Sequence, residues 1–357
     1  MFEYLFPAVE GVQSNKPYYI AMIPLSLLNK LFPESEKIDL PPEYRAQRRL
    51  NESRIPEIRD YIINNRDSYV FSALSASIDG SFKFIPSEIP SVGILSISMD
   101  ATLLINDGQH RKAALLEALS EDPSLSDETI SIVFFKDEGL QRSQQMFTDL
   151  NKHAVKTSNS LATLYDMRDS LSIVTKNVVR QVPFLKRFTD LEHDILGKNS
   201  MHFFTLNSIK KANSKILKSG TCSEEDESFL ICFWNSIFSN ISEWNDVLNK
   251  TMLKKDLRES FILPWNVTMN AFGKLGNHFY NNRELDVDSG LIELDKIDWL
   301  RTSKENWENR IIRPNGKIIN TEEASTLACA RIKQLLGLPL NREEEAKEKK
   351  LHGELGK

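Results

Sequence analysis

Four residues whose side chains bind anions or move protons, Asp107, Gln109, His110 and Arg111, stand around Gly108 between two apolar runs. The run before them, Leu103 to Asn106, reads as a buried strand, and the run after them, Ala113 to Leu119, as a helix. Glycine lets the backbone turn sharply between the two, and aspartate is a helix-capping type, so Gln109, His110 and Arg111 fall in the first turn. The N–H groups and the positive dipole end of a helix attract anions there, and Arg111 with His110 would add to that attraction. Gln109 both donates and accepts. The chemistry is phosphate binding, of a nucleotide or of a nucleic-acid backbone. The plainer alternative is that Asp107 only caps the helix and Arg111 pairs with an acid. Four such residues in a row exceed what capping needs.

Three basic clusters offer contacts to nucleic acid. Arg45, Arg48 and Arg49 precede Arg54; Lys152 and Lys156 flank His153; Lys210, Lys211, Lys215 and Lys218 lie at helical spacing in a stretch without acids from Ile195. The last is electrostatically the strongest, while Gln47, Arg48 and Asn51 are residue types that read bases. From Arg142 to Lys218 thirteen Lys/Arg face six Asp/Glu, so the formal net charge of −5 hides a polarised chain. A charge run is also the ordinary appearance of a solvated helix face.

Other chemistries are excluded by what is missing. The six histidines show no HxxxH or HExxH spacing, which argues against a metal site. Cys222, Cys232 and Cys329 are odd in number and lack CxxC spacing, so neither an iron–sulfur cluster nor a disulfide framework is expected, and the compartment is expected to be the reducing cytoplasm. Gly197-Lys-Asn-Ser200 approaches a phosphate-binding loop but lacks its first glycine. The five tryptophans are expected in the core.

The elements that must position these residues divide the 357-residue chain into an α+β arrangement. Residues 1–150 read as a mixed α/β domain. Pro17 to Pro24, Tyr69 to Ser77, Ile94 to Met99, Thr102 to Asn106 and Thr129 to Phe135 are its strands, and Leu25 to Phe32 is a short helix. Ile94 to Met99 and Thr102 to Asn106 are expected to form a hairpin around Asp100-Ala101. The segment from Pro41 to Arg66 reads as two helices, with Pro56 marking a break or the first turn of the second. After Gly139 helices are read over Gln141 to Asn151, Ser160 to Val182, Phe203 to Leu217, Glu225 to Leu248 and Thr321 to Leu338, and residues 151–340 read as an all-α domain. Residues 341–357, almost without apolar side chains, read as a frayed helix or a charged flexible tail. With 41% apolar and 27% charged residues, and no apolar run near the ~18 residues a membrane helix needs, the chain is a globular protein without a membrane span.

Asp107-Gly-Gln-His-Arg111 resembles the DGQHR signature of the DndB family of DNA sulfur modification proteins, and more widely an element of the ParB/sulfiredoxin-like fold. Met146 to His153, Ser160 to Arg168, Ile297 to Leu300, Trp307 to Arg310 and Gly316 to Asn320 are similar to further segments of that family. Gln109 stands where sulfiredoxins have a catalytic cysteine, so that thiol chemistry is not inherited. The resemblance implies a ParB-like N-terminal domain and a bacterial, DNA-binding repressor of the phosphorothioate modification genes. Its partners would be promoter duplex DNA, other DNA sulfur modification proteins and a second copy of itself. It also admits a nucleoside triphosphatase using ATP and Mg2+, with Asp107 near the metal, Arg111 on phosphate, and Gln109 or His110 positioning water. A third alternative is an interaction subunit that docks on the modification enzymes.

Overall fold

Alternating apolar residues near the N-terminus build a hairpin of β1 (Glu3–Gln13) and β2 (Lys16–Pro24). Its two turn residues, Ser14 and Asn15, both take positive φ, as a tight hairpin turn requires. The computed structural model describes residues 2–33, 50–152, 157–197, 200–217 and 220–355, the side chains of 147, 151, 152, 354 and 355 excepted. The chain divides into two compact units, Met1–Val155 and Lys156–Lys357.

In the first unit β3 (Leu74–Asp79), β4 (Phe82–Pro86), β5 (Val92–Ser98), β6 (Thr102–Asp107) and β7 (Thr129–Lys136) complete a mixed seven-stranded sheet of order β4-β5-β1-β2-β7-β3-β6. The β3–β7 pair is parallel and the others are antiparallel. One face carries Phe6, Ala8, Ala21, Ile23, Leu74, Ala76, Leu95, Ile97, Ile132 and Phe134 into a core shared with α1 (Leu25–Leu31), α2 (Ile55–Asn64) and α3 (Gln109–Glu121). Each of the larger side chains among these, fully buried, contributes roughly 1.5–3 kcal/mol. The opposite face meets α4 (Leu140–Lys152) at β6, while further along it two registered rows of apolar residues, Ile85–Ile94–Pro7 and Val92–Val9–Ile20, stay largely exposed.

The structure departs from the sequence reading here in two ways. The expected hairpin of 94–99 with 102–106 does not form: β5 pairs with β4 and β1, and β6 pairs with β3. Neighbours in sequence are separated because β5 continues one hairpin while β6 closes the far edge. The strand β1 was hidden by Pro7 and Gly11, yet the β1–β2 register begins at Ala8, so Pro7 lies just outside it. Pro56 lies in the first turn of α2, one of the two positions read for it, and the first helix expected from Pro41 lies outside the described residues.

The second unit is helical apart from the two-residue pairing of β8 (Thr189–Asp190) with β9 (Phe204–Thr205) and a few isolated bridges. Its helices are α5 (Asn159–Tyr165), α6 (Ser170–Gln181), α7 (Pro183–Phe188), α8 (Leu206–Ile216), α9 (Glu224–Ser239), α10 (Ser242–Leu248), α11 (Lys254–Ser260), α12 (Asn266–Asn281), α13 (Val287–Leu291), α14 (Lys304–Trp307), α15 (Glu322–Leu335) and α16 (Arg342–Leu355). The stretch expected as one helix over 160–182 is broken because Asp166 and Asp169 turn their carboxylates onto backbone N–H groups, Asp169 capping α6. Likewise α9 and α10 replace one helix over 225–248, with α9 ending at Asn240. The core gathers Phe184, Phe204, Phe233, Phe238, Trp234 and Trp244, with α8 and α12 packed closely at Gly273 and Gly276.

The segment read as a frayed helix or flexible tail is helical through Leu355 and is anchored by charge. Lys333 and Glu344 pair at 2.9 Å with side chains only 3% and 2% exposed, and Arg310 holds Glu348 at 2.8 Å, also buried. The sequence looks solvated because its partners lie on distant elements rather than in an apolar stripe.

Candidate functional site

The strand-turn-helix forms where the sequence places it. β6 ends at Asp107, Gly108 takes φ 100° as the residue before the helix, and α3 begins at Gln109. Glycine is required twice over: the backbone is left-handed there, and a Cβ would run into Leu74 Cδ2. A register irregularity at Ser75/Ala76, with Ser75 opposite Asp107, tilts the end of β6 toward the start of β3.

Arg111 lies across this junction. Its guanidinium donates to the carbonyls of Ser72 at 2.7 Å and Ala73 at 3.1 Å, to the Ser72 hydroxyl, and to Asp107 Oδ2 at 2.6 Å. The ion pair joins positions i and i+4, spanning the turn, and Arg111 is mostly buried. Asp107 thus makes no side-chain cap; it neutralises the arginine that ties α3 to the strand beside β6. His110 Nε2 accepts the backbone N–H of Asn51 at 3.0 Å, which docks the chain entering α2 on this helix start. The first turn of α3 carries no acid and no side-chain cap, so the electrostatic preference for an anion persists.

Beneath the turn, on the α4 side of the sheet, Asn106 is 1% exposed and donates to Ser77 Oγ at 2.7 Å and Met146 Sδ at 3.2 Å. Asn106 Oδ1 and Ser75 Oγ are buried without a partner in the structure. Sequence reasoning missed this polar layer because serines and an asparagine in strands give no periodic signal distinct from a solvated edge.

The basic clusters fare differently. Arg45, Arg48, Arg49, Gln47, Lys156 and Lys218 lie outside the described residues, as does the side chain of Lys152 at the end of α4. On α8, Lys210 meets Asp169 at 2.6 Å and Ser172 Oγ at 2.7 Å, and Lys215 meets Glu322 at 2.7 Å. Burial alone would raise the Asp169 and Glu322 carboxyls; the lysines beside them outweigh it and hold both below the ordinary range. Lys211 is exposed at the rim of a cleft of about 280 Å³ shared with Lys210 and Asn159. Four tryptophans are fully buried as expected, but Trp265 is 38% exposed.

A family model described as DndB, DNA-sulfur modification-associated, matches residues 6–339, nearly the whole chain. The chain belongs to the DndB family. Its involvement in DNA sulfur modification follows from that membership. No curated protein and no solved structure matches it. For this DndB family member the DGQHR residues are thus a folded unit, with Arg111 and Asp107 turned onto each other and onto β3. Among the described residues no group of His, Cys, Asp and Glu is arranged to hold a metal ion, and no helix is long and apolar enough to cross a membrane.

Proposed function

We propose that the protein is a DNA-binding regulator, a repressor of the phosphorothioate modification genes, acting in the cytoplasm as a homodimer on promoter duplex DNA. The observation that carries this reading is the family match over residues 6–339. The same reading takes the first unit as a ParB/sulfiredoxin-like domain, supported by its strand-turn-helix at Asp107–Arg111. The start of α3 receives a backbone phosphate, and exposed lysines such as Lys211 supply further phosphate contacts. The uncovered apolar rows of the sheet support self-association, since such faces mark interaction surfaces. Docking on other DNA sulfur modification proteins belongs to the same proposal.

The test is a titration of the purified protein against duplex DNA from upstream of its own operon and against unrelated duplex, at two salt concentrations, with and without ATP and Mg2+. Selective, salt-sensitive binding is expected. Release of phosphate from ATP, lost in Arg111→Ala, would replace the repressor by a nucleotide hydrolase; no binding to either duplex would sink the reading.

A further inference from the structure

The second unit contains a cleft of about 570 Å³ between residues 196, 197, 200, 201 and 203, α11 and the Trp265–Arg301 contact. Its chemistry is unlike that of the surrounding surface. The buried ring of Phe203 lines it, its centroid 5.2 Å from that of Phe188. Arg187 and Lys254 stand over Phe188 at 5.3 and 5.6 Å, and Arg258 over Phe203 at 5.0 Å. Lys255, Glu259 and Arg301 also line the cleft.

These cations are held by neutral groups. Arg258 donates to the carbonyls of Ser200, at 2.7 Å, and His202; Lys254 lies 3.4 Å from Met201 Sδ; Arg301 donates to the carbonyls of Glu259 and Gly316 at 3.1 and 2.8 Å. Among the described residues, the carboxylate contact in this group is Lys255 with Glu259 at 4.0 Å, the outer limit of an ion pair. Burial, then the charges of Arg187 and Arg258, pulls the Lys254 ammonium below its ordinary range, and burial does the same to Arg258. Four lining cations against one lining carboxylate, Glu259, leave an excess of positive charge that a bound anion would offset.

Trp265 adds a second specificity. Unlike the other four tryptophans it presents part of its ring to solvent, with the Arg301 guanidinium 5.7 Å from the ring centroid. An exposed aromatic ring beside clustered cations is the pairing that engages a base and its phosphate together.

We propose that this cleft binds a nucleotide, Lys254, Lys255 and Arg258 holding the phosphate and Trp265 stacking the base. Stacking on Trp265 requires an unpaired base, so the ligand is a free nucleotide or a nucleotide of a single strand, not a duplex. The proposal rests on the second unit alone and stands apart from promoter recognition.

The experiment titrates the full chain with AMP, ribose 5-phosphate and a short single-stranded oligonucleotide, followed by tryptophan fluorescence and calorimetry. AMP or the oligonucleotide binds saturably and changes the emission, and ribose 5-phosphate binds at least tenfold more weakly. Saturation by AMP identifies a free nucleotide; saturation by the oligonucleotide alone identifies a strand. Lys254→Gln with Lys255→Glu, both at the cleft rim and tolerable to folding, weakens binding at least tenfold, and Trp265→Ala by roughly tenfold, with unchanged circular dichroism. The idea is overturned if none of the three probes binds, if the lysine variant binds as the parent does, or if ribose 5-phosphate matches AMP. Arg111→Ala leaves this binding intact, and failure on promoter duplex leaves it untouched, so the two readings fail separately.

Discussion

Arg111 does structural work at the centre of the signature motif. A lysine there would keep the charge but lose the fork that reaches two carbonyls and Asp107 at once. Arg111→Lys is therefore expected to cost about 1.5–3 kcal/mol, read by hydrogen exchange in β3 and β6. Exchange unchanged from the parent would show that the fork carries no stability. His278 makes a different prediction. Its Nε2 is buried without a partner, and burial, followed by the nearby Lys333, lowers its affinity for a proton, Glu344 and Glu284 opposing. A histidine depressed in the folded state binds its proton first in the unfolded chain. Its contribution is thus present above about pH 6.5 and is lost as pH falls through that value toward the folded one. Thermal melts at about pH 7.5 and 5.5 should show a smaller acid loss in His278→Gln than in the parent.

At the scale of elements, α16 is held by two buried ion pairs rather than by an apolar stripe. Glu344→Ala leaves Lys333 buried without its counter-charge, at an expected cost of about 3–5 kcal/mol in urea unfolding. Lys333→Met with Glu344→Leu should cost less than the single change; an equal or larger loss would contradict this account. The same helix explains what the sequence could and could not disclose. β2 and β7 were legible because their buried residues alternate, α3 because Ala113 to Leu119 are strong helix formers, and the turn at Asp107–Arg111 because glycine and charge are confined to one place. β1 was not, since Pro7 and Gly11 imitate breakers; nor was the anchoring of α16, whose partners Arg310 and Lys333 lie on other elements. The cleft at Trp265 was equally hidden, because Phe203, Arg258 and Trp265 meet only in three dimensions.

For the whole molecule, a net charge of −5 means that DNA affinity must come from local patches. Lys210 and Lys215 are already paired, so Lys211→Glu should lower duplex affinity and reduce the salt slope by about one, whereas Lys215→Glu acts mainly through its lost contact with Glu322. An unchanged slope in Lys211→Glu would remove α8 from the DNA interface. The strand order carries a last consequence, for synthesis on the ribosome. β7 is the final strand of its sheet to be made, yet it lies between β2 and β3. Until residue 136 has emerged, the nascent sheet consists of two unjoined parts, β4-β5-β1-β2 and β3-β6, each with an open edge. Closure of the first unit is therefore a late, all-or-none event in its translation, and α3, which carries the signature turn, is the segment that delivers β7 to the gap.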